Sequence, residues 1–211
     1  MPTIRINASV SSGQTPRALG LGLQWSKKAA ASVKEILGRY PVERSRSAVI
    51  PLLWLAQREF GGWLSVDAMQ LVADTLELPY IRVYEVASFY TMFNLKPVGK
   101  FHVQVCTNCS CMIRGSDAIV AAVKDVTGIE ASGENSADGM FTFTEVECLG
   151  ACVAAPMMQV TLADGPLHYY THLDAGKVRE ILGHLKKGGE AATFADTSPA
   201  KHDPICGGYG G

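Results

Sequence analysis

The chain has 211 residues, 47% of them hydrophobic and 18% charged, with 19 basic and 20 acidic side chains. That composition supports a globular core, excludes wholesale disorder and fits one large domain or two small ones. A formal net charge of −1 argues against a dedicated nucleic-acid binder, and the longest apolar stretch, Ala48 to Ala56 with Pro51 inside it, falls far short of the about 20 residues of a membrane span.

The stretch to Lys34 carries Arg5, Arg17, Lys27, Lys28 and Lys34, and the first acidic residue is Glu35. Acid-free leaders with arginines resemble mitochondrial transit peptides. A flexible bacterial tail over residues 1–25 is the simpler expectation. No secretory-type apolar core precedes a small-residue cleavage site, which points to a reducing compartment. There, grouped thiols mean metal or redox chemistry more often than disulfides.

The first half reads as helical. Val33, Ile36, Leu37 and Tyr40 recur at helical spacing behind Ser26, with Gly38 and Pro41 as stop signals. A second helix is expected from about Ser47 to Phe60, with Pro51 in its first turn or at a bend. Gly61-Gly62 then breaks the chain; it is an isolated turn, not a phosphate cradle. Ser65 caps a third helix whose inner face is Met69, Val72, Ala73 and Leu76. Pro79 opens a fourth, Tyr80 to Phe93, with Val83, Val86, Ala87 and Tyr90 on one stripe. Four short amphipathic helices suggest a small bundle.

The pattern changes after Lys96-Pro97-Val98-Gly99. Phe101, Val103 and Val105 alternate with His102 and Gln104, the period of a half-buried strand. A cysteine-rich loop follows, then a helix from about Ser116 to Val126 stopped by Gly128, and a second strand from Phe141 to Glu147. Met157–Leu162 and Leu167–Thr171 flank Ala163-Asp164-Gly165-Pro166 and read as a hairpin. Asp174 caps a last helix with Val178, Ile181, Leu182 and Leu185 inward. Strand, helix, strand, hairpin, helix is the order of a thioredoxin-like domain. The segment from Gly188 to Gly211 is rich in Gly, Pro, Ala and Ser and is expected to be mobile or ordered by a partner.

Five of the six cysteines form two groups, Cys106-Thr-Asn-Cys109-Ser-Cys111 and Cys148-Leu-Gly-Ala-Cys152, each following a predicted strand. If the strands are parallel neighbours, both groups emerge at one end of the sheet. Zinc would use the Cys106 and Cys109 knuckle, but Cys148 and Cys152 lie in a small, apolar run unlike a second knuckle. A dithiol at Cys106 and Cys109 leaves three thiols unexplained. A [2Fe–2S] cluster needs two pairs of thiolates, and two pairs are present. Gly150, Ala151, Ala154 and Ala155 form a thin wall through which backbone N–H groups could reach sulfur. His102, His168, His172, His184 and His202 make no ligand-type pair with the cysteines. Spacing alone does not choose between Cys109 and Cys111, and Cys206 has no assigned role.

The runs EVASFYTMFNLKPVGKFHVQVCTNCSCMIRGS and FTFTEVECLGACVAAPMMQV strongly resemble the thioredoxin-like [2Fe–2S] subunit of NADH:quinone oxidoreductase, respiratory complex I (the bacterial E subunit, mitochondrial flavoprotein 2). The resemblance spans about Lys34 to Leu185. It implies an α/β chain with a helical bundle at 26–97 and a thioredoxin-like [2Fe–2S] ferredoxin domain at 98–187, between a flexible segment at 1–25 and a low-complexity tail at 188–211. The family pattern C-x₄-C with C-x₃-C selects Cys106, Cys111, Cys148 and Cys152 as cluster ligands and leaves Cys109 at a variable position. HDPICGGYGG departs from that pattern.

The resemblance further implies a partner subunit that binds FMN and NADH, from which this chain accepts single electrons, and a place in a peripheral arm. That arm would lie on the cytoplasmic face of the bacterial inner membrane, or on the matrix side in mitochondria. No catalytic residue and no stand-alone NADH oxidation are expected. Glu145 and Glu147 before Cys148 would oppose reduction, and Arg114 after Cys111 would favour it. The competing expectations are the equivalent subunit of an NAD-linked hydrogenase or formate dehydrogenase, and a zinc-stabilised interaction module.

Overall fold

Serine caps open the early helices where the sequence places them. Ser26 Oγ accepts the Ala29 N–H at 3.1 Å and begins α1 (Lys27–Gly38). A 3₁₀ turn (Val42–Ala48) leads into α2 (Val49–Glu59), where Pro51 falls in the first turn and its missing N–H costs no helical bond. Ser65 Oγ accepts the Ala68 N–H at 3.0 Å and begins α3 (Val66–Thr75), with Ala68, Met69, Val72 and Ala73 buried. The computed structural model describes residue 20 and residues 22–163 and 165–196. Arg5, Arg17, Asp164 of the hairpin turn, and the tail from residue 197 with Cys206 and His202 lie outside the described residues.

The fourth helix, α4 (Tyr80–Phe89), ends before the expected Phe93, because Tyr90 leaves helical dihedrals at φ −93° and ψ 116°. The Phe93 N–H then bonds Tyr90 O at 3.1 Å. This turn buries Phe93, edge-on to Trp54 at 5.7 Å between centroids, while Tyr90, placed on the inner stripe by helical spacing, is exposed. The described residues up to Ala56, with Leu64–Leu95, form one compact unit; Gln57–Trp63 and the described residues from Lys96 onward form a second.

The second unit is built on β1 (Phe101–Cys106), α5 (Cys109–Ile113), α6 (Ser116–Thr127), β2 (Glu134–Asn135), β3 (Phe141–Val146), β4 (Met158–Leu162), β5 (Leu167–Tyr170) and α7 (Ala175–Lys186). The sheet order is β2-β3-β1-β4-β5, with β1 parallel to β3 and antiparallel to β4. A parallel pair needs a long crossover, which α5 and α6 supply. Asp174 caps α7 by accepting the Lys177 N–H at 2.8 Å. Helices α6 and α7 pack on one another. Phe101, Val103, Val105, Phe143, Val160 and Tyr170 from the sheet join Ile119, Val123, Val178 and Leu182 in one core. Each such side chain contributes roughly 1.5–3 kcal/mol of burial.

The other face of β1 departs from the half-buried strand expected. Gln104 is partly buried and His102 is only 8% exposed. Their polar atoms pair across strands: His102 Nε2 with Thr144 Oγ1 at 2.9 Å, and Gln159 Nε2 with Gln104 Oε1 at 2.7 Å. A central strand is covered on both faces, so its polar residues must satisfy one another. Gly99 comes so close to β3 that a Cβ there would lie 2.7 Å from the Phe141 carbonyl carbon.

The loose tail expected from Gly188 is ordered over its first part. Ala191–Phe194 form a 3₁₀ turn whose Ala191 carbonyl accepts the Tyr170 hydroxyl. Asp196 Oδ2 accepts the Thr171 N–H at 2.7 Å, and the Asp196 N–H returns to Tyr169 O at 2.9 Å. With the Thr171 hydroxyl also donating to Asp196 Oδ2 at 2.6 Å, four bonds to the edge strand and the residue after it, invisible in composition, hold it there.

Candidate metal centre

Parallel pairing of β1 and β3 sets Cys106 opposite Val146. The chain leaves both strands at the same end of the sheet, so the two cysteine groups meet there. Cys106, Cys109, Cys111, Cys148 and Cys152, with Asn108 and Ser110, line one cavity of about 240 Å³.

The first group is not the loop expected. Asn108 Oδ1 accepts the Cys109 N–H at 2.7 Å and starts the short helix α5. Residues two apart on a helix project about 200° apart, so Cys109 and Cys111 stand in different surroundings although both line the cavity. Cys111 is 1% exposed and packs with Cys106, Ala151, Ala155 and Met157, whereas Cys109 is exposed at the cavity rim. Arg114 Nη1 donates to Ala155 O at 3.3 Å and ties the end of α5 to the segment after the second group.

Burial pushes the Cys111 thiol up to about 11, with the neighbouring Cys106 adding to the rise and a hydrogen bond from the Met157 N–H opposing it. The Cys152 thiol is raised chiefly by its hydrogen bond with Cys148, whose sulfur lies 3.9 Å away. A group ligated by thiolates must displace the protons that this burial and pairing favour. Cys106 Sγ donates to Glu147 O at 3.6 Å.

Met157 is the residue that sequence reasoning missed. Its carbonyl accepts the Cys106 N–H at 3.3 Å and its N–H donates to the Cys111 sulfur, so one residue's backbone holds both cysteines of the first pair. Only main-chain atoms act, and no side-chain signal could announce them. The thin wall expected around the second pair is partly real. Gly150 donates its N–H to Cys148 Sγ at 3.4 Å, from a backbone at φ +81° that favours glycine. Open space surrounds its missing Cβ, so conformation and not room requires glycine here. The Ala154 and Ala155 N–H groups instead close the Cys152–Ala154 turn, on Ala151 O and Cys152 O.

Four thiolates around one zinc at about 2.3 Å would stand about 3.8 Å from one another. Cys148 and Cys152 meet that spacing at 3.9 Å, but the cavity lined by the five cysteines is far above the ~10–15 Å³ that one water needs. Soft sulfur donors in two pairs, with N–H groups turned to sulfur, fit a two-iron cluster. None of the described histidines lines the cavity.

A family profile described as thioredoxin-like [2Fe–2S] ferredoxin matches residues 33–186. The chain belongs to this family. It is 49% identical over 162 residues to the E subunit of NADH-quinone oxidoreductase from Rickettsia bellii, covering 77% of this chain and 93% of that protein. The corresponding Rickettsia prowazekii protein is 47% identical over 158 residues, 75% of this chain and 86% of its own. In three dimensions the chain is similar to an NAD⁺-reducing [NiFe]-hydrogenase in the H₂-reduced state, at a TM-score of 0.58 and 17% identity. That match covers 70% of this chain and a quarter (25%) of the hydrogenase chain, and shows a shared fold. The family's cofactor is a [2Fe–2S] cluster, and the paired thiols suit it.

Proposed function

We propose that this chain is the [2Fe–2S] electron-transfer subunit of an NADH–quinone oxidoreductase, with Cys106, Cys111, Cys148 and Cys152 as cluster ligands. Single electrons arrive from FMN on an adjacent NADH-binding subunit. The observation that carries this reading is the convergence of two cysteine pairs at one end of a parallel strand pair, in a chain 49% identical to the E subunit of such an enzyme. The hydrogenase likeness, at 17% identity, gives no comparable support to the competing redox reading.

When bound, the cluster takes up and returns one electron at a time. The protein's part is to hold it. Strands β1 and β3 fix where the two pairs emerge, Met157 anchors the first pair, and Gly150 turns a donor to the second. Met112, Ile113 and Val153, each within two residues of Cys111 or Cys152, are exposed, apolar side chains suited to a protein partner. Domain limits at residues 26–97 and 98–187 belong to the same proposal. So does a peripheral position on the cytoplasmic face of an inner membrane, or on the matrix side in mitochondria. No helix among the described residues is long and apolar enough to cross a membrane.

Isolation of the assembled complex through this chain tests the reading. FMN and NADH-dependent quinone reduction should co-purify, while the chain alone oxidises no NADH. NADH oxidation by the chain alone, or a complex that reduces NAD⁺ with hydrogen or formate, would overturn it.

Glu147 is exposed and precedes Cys148, where a carboxylate opposes the added negative charge. Glu147→Gln should raise the midpoint potential by something on the order of tens of millivolts at low ionic strength, since exposed charges interact weakly. An unmoved potential in a redox titration removes Glu147 from the account.

A further inference from the structure

Side-chain bonds cross between the cysteine groups at both ends. Cys106 Sγ donates to Glu147 O at 3.6 Å, joining the start of the first group to the residue before Cys148. Arg114 Nη1 donates to Ala155 O at 3.3 Å, joining a point three residues past Cys111 to one three residues past Cys152. Arg114 is exposed and Ala155 is buried, so the guanidinium reaches inward for this carbonyl. Between the two bonds, helix α5 packs against the Cys152–Ala154 turn. The bonds differ once the thiols become ligands. A thiolate has no S–H to donate, so the Cys106 bond is lost when that sulfur holds iron. The Arg114 bond involves no ligand atom and a group that never gives up its proton, so it persists.

We propose that Arg114 is the latch that keeps the two cysteine segments closed on the [2Fe–2S] group and so governs how long the chain retains it. This rests on the ligand assignment above. Iron is lost when the segment with Cys111 parts from the segment with Cys152, and local opening is governed by the contacts that part. The sheet itself holds the start of the first group: the Cys106 N–H bonds Met157 O at 3.3 Å, and the Thr107 N–H bonds Val146 O at 3.1 Å. Helix α5 lies beyond these bonds, and a helix of five residues has little stability of its own. Arg114 fastens its far end. The guanidinium does not line the cavity, so Arg114 is a positioning residue that acts through the segments carrying the ligands. Its charge near the centre is a separate effect, which needs no bond to Ala155.

The experiment challenges the loaded full chain with EDTA under anaerobic conditions and follows the fading of its visible absorbance, for wild type, Arg114→Met and Arg114→Lys. Arg114→Met keeps most of the stem but neither donor nor charge. It should lose the cluster about tenfold faster, near the lower end of what a hydrogen bond from a charged donor contributes. Arg114→Lys keeps a charged donor on a long stem and should stay close to the wild type. The Arg114→Met difference should persist at about 1 M salt, where exposed charges are screened within ~3 Å. Urea unfolding of the three metal-free chains should coincide. A wild-type rate for Arg114→Met overturns the proposal, as does Arg114→Lys fading as fast as Arg114→Met. So does a difference that vanishes in salt, which would mark charge alone, or a matching fall in urea stability, which would mark a general loss of fold. Absence of any [2Fe–2S] absorbance from the wild type would instead overturn the ligand reading beneath it.

Discussion

Cys111→Ser should abolish or strongly perturb the electron paramagnetic signal of the reduced chain, while Cys109→Ser leaves it nearly unchanged. The two thiols are two residues apart in one short helix, and the helix turns them to different environments. Cys111 is buried against Cys106 and receives the Met157 N–H; Cys109 stands exposed at the rim. A serine at 111 would offer a harder oxygen donor, which iron–sulfur sites select against. It would also leave the first pair with one thiolate. Cys109 lines the same cavity but is exposed, so it would substitute for the buried Cys111 only with a turn of α5, whose end Arg114 ties to Ala155. Both variants are compared after identical anaerobic purification. A lost signal in Cys109→Ser with a normal one in Cys111→Ser would reverse the assignment.

Acid should weaken the fold through His102. Burial in the sheet holds its imidazole down to about 4, from the usual 6.5, while Nε2 faces the Thr144 hydroxyl. The unfolded chain therefore binds more protons than the native one between these two values. Stability contributed by neutral His102 is complete above about pH 6.5, falls as the pH drops towards 4, and is gone below it. The full loss is about 3 kcal/mol. Urea unfolding across that range measures it. His102→Gln, which does not titrate, should flatten the slope by that amount; an unchanged slope would move the acid sensitivity elsewhere.

Helix caps and strand periods were legible because they are local. Ser26, Ser65 and Asp174 each cap the helix that follows them, and a side chain that caps its own helix needs no tertiary partner. Period-2 spacing located β1 but not its surroundings: two-sided burial of His102 and Gln104 depends on strands β3 and β4, far away in the chain. The end of α4 was missed because Tyr90 and Phe93 fit helical spacing, and a tertiary pocket for Phe93 beside Trp54 outweighs it. The cysteine pairs were legible as residue types at a spacing. The helical turn that separates Cys109 from Cys111 was not, because five residues carry too little periodicity to read. Nor was the Met157 donor, a backbone group common to every residue type but proline, whereas the Gly150 donor was legible in the small residues around the second pair.

The central claim is that two cysteine pairs on one sheet hold a two-iron, sulfide-bridged centre. Metal and acid-labile sulfide analysis of the full chain, purified without oxygen, tests it most directly. Two irons and two sulfides per chain are the result expected of a [2Fe–2S] site. One zinc per chain with no sulfide would contradict it.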